Sequence, residues 1–234
     1  MPKKSSFLLF VFRSFLVLFF LLLTGILTVI FIQQSLRGNG LMEHQPGINL
    51  RIISDNFHSG ILLTNQDDVF RRTLGAEYQS FHYVFYAFAD RAWFLENQQE
   101  WHRIFPTLFS PTEGIVERVL IRENLDLQYL HFNKDELGIW SLEADIGVLD
   151  NILRYIEHDL IEEPVPVREY RGLGTGYQYS FFPAGIDYHL FWNCHHFILA
   201  SLEEAGYPVS SDWFMFLDSS LRLAVDGLAV ASPP

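Results

Sequence analysis

The stretch Trp192-Asn193-Cys194-His195-His196-Phe197-Ile198-Leu199-Ala200-Ser201-Leu202-Glu203-Glu204-Ala205-Gly206 carries the reading of this chain. Asn193 is a good helix cap, and Gly206 suits the left-handed position after a helix, with Pro208 following. The pattern predicts a helix from Cys194 to Ala205. It places the single cysteine of the chain in the first turn. The first turn of a helix offers unpaired N–H groups and a partial positive charge, which favour a thiolate. A thiol used there as a nucleophile needs an imidazole from another element to take its proton. It also needs a polar group to orient that imidazole, and donors such as the helix N–H groups to hold an oxyanion.

The rest of the domain can supply those parts. Ile48 to Ile53 alternates like a strand, and Asp55-Asn56 marks a turn. His58-Ser59-Gly60-Ile61-Leu62-Leu63 reads as a second strand opening on a histidine. Asp67 to Leu74 is a short helix, Phe81 to Phe88 a central aromatic strand with Asp90 just beyond it, and Gly114 to Ile121 another strand. Glu96 to Phe109 has a helical pattern that stops at Pro111. Ala144 to Ile161 is the clearest amphipathic helix, with Ile146, Leu149, Leu153, Ile156 and Leu160 in one stripe and Asp145 as its cap. Gly172 to Gly176 lacks the lysine of a phosphate loop and reads as a turn. Tyr177 to Trp192 is strand and loop, either ordinary core or the lining of an apolar groove. This mixed order of strands and helices makes the fold α+β.

The first 37 residues belong to something else. Ser14 to Ile32 is a run of nineteen uncharged, mostly apolar residues. At ~1.5 Å per residue it is long enough to span a bilayer, and too long for a signal-peptide core. Lys3, Lys4 and Arg13 precede it and Arg37 follows, so the positive-inside rule puts the N-terminus in the cytoplasm. The expected organisation is a cytoplasmic tip and transmembrane anchor over residues 1–37, a linker over 38–47, and an extracytoplasmic domain over 48–234. In a Gram-negative bacterium the domain lies in the periplasm, tethered to the inner membrane.

Charge narrows the partners. The chain carries a net −12, with four basic and no acidic residues before residue 39. The remainder holds 12 basic and 28 acidic side chains, a net −16. A surface that acidic repels nucleic acid, which is not expected as a partner. Cys194 has no second cysteine to pair with, and a lone thiol in an oxidising compartment has to be buried or used. His195 and His196 beside it suggest zinc, but adjacent helical residues diverge by ~100° and rarely share a metal. No cofactor and no metal are expected, although a metal held by His58, Cys194 and a second histidine stays as a rival reading.

Three stretches carry a resemblance: Asp55 to Leu63; Phe88 to Phe94 with Leu108 to Thr112; and Phe181 to Gly185 with Tyr188 to Cys194 and Leu202 to Pro208. Together they resemble an uncharacterised bacterial membrane-anchored family first noted near urease gene clusters. That family usually has Gly-Trp-Gly-Asp where this chain has Ala87-Phe88-Ala89-Asp90, and asparagine where it has His195. More distantly, His58-Ser59-Gly60-Ile61 and Asn193-Cys194-His195-His196-Phe197 look like the circularly permuted papain-like proteins, including the lecithin retinol acyltransferase-like group. The resemblance implies a thiol hydrolase or an acyl or amide transferase, with Cys194 as nucleophile and His58 as base. Asp90 fits the third place, with His82 as the other choice. Placement outside the membrane suggests a cell-envelope peptide or lipid as substrate. The rival is a catalytically idle binding or assembly protein on the same fold.

Overall fold

The computed structural model describes residues 49–55, 58–96, 102, 107, 109–122, 125–132, 137–172, 176–211, 221, 224–226 and 228. All of these fall in one compact unit, Asn39–Pro234. The anchor expected over 14–32 lies outside them, as does most of the helix expected over 96–109. Among the described residues no helix is long and apolar enough to cross a membrane.

Seven strands form one sheet. They are β1 (Leu50–Ser54), β2 (Ser59–Thr64), β3 (Tyr83–Asp90), β4 (Gly114–Ile121), β5 (Gly138–Leu142), β6 (Arg168–Arg171) and β7 (Tyr177–Pro183). The described helices are α1 (Val69–Thr73), α2 (Arg91–Leu95), α3 (Ile146–Arg154) and α4 (Cys194–Glu204). The spatial order is β5-β1-β2-β3-β4-β7-β6, and every neighbouring pair is antiparallel. The domain is α+β, as expected.

Side chains on a strand alternate between faces, and here both faces are buried. Ile61 and Leu63 of β2 join Val84, Tyr86 and Phe88 of β3 in a core shared with α3 and α4. Leu62, Phe85, Ala87 and Ala89 point the other way, into a second core with Ile115, Val119, Phe132 and Phe181. A sheet covered on both sides selects near-continuous apolar strands, which is how β3 and β4 read. Two glycines permit close approaches. A Cβ on Gly60 would stand 2.3 Å from the Phe85 ring. One on Gly114 would stand 2.4 Å from the Ile186 carbonyl oxygen, so this glycine lets the segment after β7 settle on the β3–β4 end.

Asp145 caps α3 by accepting from the Val148 N–H at 2.9 Å, as its position suggested. Beyond Arg154 the helix widens into a π-helical stretch, Tyr155–Leu160. Glu157 on that stretch meets Arg118 of β4, whose Nη1 donates to both carboxylate oxygens at 3.0 Å. The Tyr86 hydroxyl donates to the same carboxylate, and the Arg118 guanidinium lies 4.5 Å over the Phe182 ring. This buried pair pins the widened turn to the sheet.

Candidate functional site

Cys194 opens α4, and Asn193 caps it. The Asn193 side-chain oxygen accepts from the backbone N–H of His195 at 2.9 Å and of His196 at 3.4 Å. It also lies 3.2 Å from Nδ1 of His196, whose ring stacks on Trp192. The capping asparagine therefore occupies two of the N–H groups that an oxyanion would use. The Cys194 N–H of this turn lies against its own sulfur.

The thiol is 5% exposed and faces the sheet. Ser59, the first residue of β2, lies beside it, and the Ser59 hydroxyl has no hydrogen-bond partner among the described residues. The phenol of Tyr188 lies beside it as well. Burial pushes the thiol above its ordinary pKa; Ser59 opposes this, and the nearby Asp55 carboxylate adds to it. Tyr188 is held in place by a bridge to Thr112, with bonds of 3.1 and 2.8 Å, and stacks on Phe88 at 5.6 Å. Burial, then Cys194 and Asp90, raise its phenol well above the ordinary range, so it stays a hydrogen-bond donor.

Asp90 is the last residue of β3 and caps α2, accepting from the Trp93 N–H at 2.6 Å. Its other oxygen is buried and has no hydrogen-bond partner among the described residues. Asp90 faces the same side of the sheet as Phe88 and acts on Tyr188. The structure thus groups Cys194, Ser59, Tyr188 and Asp90, with Asp55 at the margin.

His58 lies elsewhere. The strand begins at Ser59, one residue later than the sequence pattern suggested. Alternation sends Ser59 and Ile61 toward α4, and His58 and Leu62 to the opposite face. The His58 ring sits between Phe94 at 5.5 Å and Phe132 at 4.9 Å, with Phe85 edge-on at 6.2 Å. Its Nε2 is 3.9 Å from Oε2 of Glu117, a β4 side chain with no solvent exposure. Oε1 of Glu117 is 4.0 Å from Nε2 of His131, whose side chain is 47% exposed. Burial, then His131 and His195, lower His58 to a pKa of about 3. Burial raises Glu117 to about 8. At neutral pH both are uncharged, so the short separation is not an ion pair. None of the polar or ring contacts of His58 is with Cys194. His82 is exposed and precedes β3, at the end of that strand away from Asp90.

Five residues escaped the sequence reading as site members: Ser59, Tyr188, Asp55, Glu117 and His131. Glu117 had a signal, a carboxylate inside the apolar run Gly114 to Ile121. The others become visible only when strand pairing brings them together. A cleft of about 270 Å³ opens beside this region, with Arg91, Glu113, Glu162 and Asp187 in its wall; Cys194 is not among its lining residues. Among the described residues no three His, Cys, Asp or Glu side chains converge on a metal position. Tyr177 to Pro183 is core strand rather than groove.

No family model matches the chain, and no curated protein or solved structure does either.

Proposed function

We propose that the chain is a membrane-anchored thiol hydrolase or acyl or amide transferase, of papain-like type, acting on a cell-envelope peptide or lipid. Residues 14–32 anchor it in the bacterial inner membrane with the domain outside. Cys194 is the nucleophile. The observation that supports this reading is the polar cluster at the head of α4: a thiol between Ser59 and Tyr188, with the uncommitted oxygen of Asp90 behind Tyr188. Apolar packing alone does not call for that many buried polar groups around a cysteine.

In the reaction the sulfur attacks a carbonyl carbon and an S–C bond forms. The thiol proton leaves to His58 and passes to the departing amine or alcohol as its bond to carbon breaks. Water or an acceptor then cleaves the thioester. Asp90 orients the site through Tyr188. The step requires the His58 ring to reach the thiol side of the sheet by side-chain rotation, because Asp55 fixes the backbone of residue 58, accepting its N–H at 2.7 Å and donating to its carbonyl at 2.8 Å. No cofactor takes part.

A specific observation favours the second reading, an idle binding or assembly protein. The thiol is 5% exposed, is protonated in this arrangement, and does not touch the imidazole. One experiment separates the two. Full-length protein in detergent is treated with a thiol-reactive ester probe, and labelling at Cys194 is timed. The enzyme reading expects labelling of wild type, none in Cys194→Ser, and at least a tenfold slower rate in His58→Ala. Equal rates for wild type and His58→Ala, or labelling only after unfolding, establish the idle protein.

A further inference from the structure

A carboxyl group in the middle of a central strand needs a reason. Glu117 pairs with Ala87 on one side and Phe181 on the other, and shares its face with Ile115 and Val119. Neither of its oxygens has a hydrogen-bond partner among the described residues, nor does Nε2 of His58. Leaving such atoms unpaired in an apolar core costs roughly 1–3 kcal/mol each. Yet each Glu117 oxygen is aimed at a different imidazole, 3.9 Å from His58 and 4.0 Å from His131. His131 itself is in the left-handed region, at φ 61°, and its ring edge meets Phe94.

We propose that Glu117 is the carboxyl that positions His58 and links it to solvent through His131. This rests on the reading of His58 as the proton carrier above, and it gives that histidine a carboxyl partner other than Asp90. Asp90 is committed to the Trp93 N–H and lies on the α4 face with Tyr188. Glu117 already stands beside the imidazole. Both gaps exceed a hydrogen bond by about 1 Å, so a proton crosses each once a small side-chain shift brings the atoms together. The transfer balances: His131, protonated at its exposed face by a solvent proton, gives its Nε2 proton to Oε1 of Glu117 as Glu117 gives its Oε2 proton to His58, so one proton moves from solvent to His58 with no net change at Glu117, and the reverse sequence returns it. The burial that keeps Glu117 uncharged near neutral pH keeps it able to give as well as take. Other titratable groups face this cluster. Tyr170 of β6 and Tyr179 of β7 have phenols raised by burial and in part by Glu117, and His195 of α4 acts on His58.

The test is a pH titration of the full chain in detergent with ¹⁵N-labelled histidine rings, read by NMR. In wild type the ring shifts of His58 and His131 should both step near pH 8, as Glu117 loses its proton. In Glu117→Gln, which keeps the shape, both steps should vanish. Steps that persist in Glu117→Gln overturn the proposal. If that variant fails to fold, wild type still decides, because rings that stay flat between pH 7 and 9 overturn it alone. The titration reads no catalysis. A step at both rings with His58-independent probe labelling removes the enzyme reading and supports the bridge. Labelling that depends on His58, with no step, removes the bridge and leaves the enzyme.

Discussion

Glu117 and His58 also set how stability depends on pH, and their signs oppose. Glu117 goes from an ordinary value of 4.5 to about 8 on folding. Between those limits the folded state holds a proton that the unfolded state has lost, so stability falls as pH rises through 4.5 to 8. His58 goes from 6.5 to about 3. Between those limits the unfolded chain holds the extra proton, so stability falls as pH drops from 6.5 to 3. The contributions offset each other between pH 4.5 and 6.5, which predicts a plateau there with a decline on each side. Each limb is on the order of a few kcal/mol. Glu117→Gln removes the alkaline limb and turns the plateau into a rise that continues to pH 6.5. Urea unfolding at pH 5.5 and 8.5 checks this: the wild type should lose stability at the higher pH, and the variant should not.

At the scale of elements, α4 is the piece the sequence specified best. Its ends, its cap and its glycine stop are all local features, and local features can be read from neighbours in the chain. Cap removal is therefore a clean test. Asn193→Ala frees the His195 and His196 N–H groups in a buried place, and should cost about 1–2 kcal/mol, toward the upper end for caps. Thermal unfolding would show it, and an unchanged melting temperature would mean the cap is not needed. β4 was equally legible, from Gly114 to Ile121, because both its faces are buried and apolar residues flank Glu117 and Arg118 on each side. β5 and β6 were not. β6 is exposed along its length and has no apolar pattern, and β5 is set by pairing with β1, distant in sequence. The site was half legible for a related reason. Cys194 sits where helix grammar put it, and Asp90 stands on its side of the sheet. The direction of His58 hangs on one residue of register: a strand that opens at Ser59 turns residue 58 away from residue 59. Hydrophobic spacing does not resolve a strand end to that accuracy.

At the scale of the whole domain, the question is whether one sheet with two cores unfolds as one body. Ile61 and Leu62 are adjacent on β2, both with no exposed surface, and they enter different cores. Ile61 packs on the α4 side. Leu62 packs with Phe85, Phe132 and the turn Leu127–Leu130. The strands are common to both faces, so neither core can open fully without breaking the ladder that holds the other. Each truncation to Ala should cost about 2–5 kcal/mol, enough to lower the melting temperature by at least ~4 °C in a domain of this size. If the sheet couples the faces, Leu62→Ala should also speed hydrogen exchange at the slowest amides of α4, those between Phe197 and Leu202, by the factor its stability loss implies. Wild-type protection in α4 beside a loosened second core would show two units that share strands but unfold apart. Coupling of this kind is also what the bridge from His131 to His58 requires, since an imidazole carried just before β2 can serve the thiol side only while β2 keeps both cores in register.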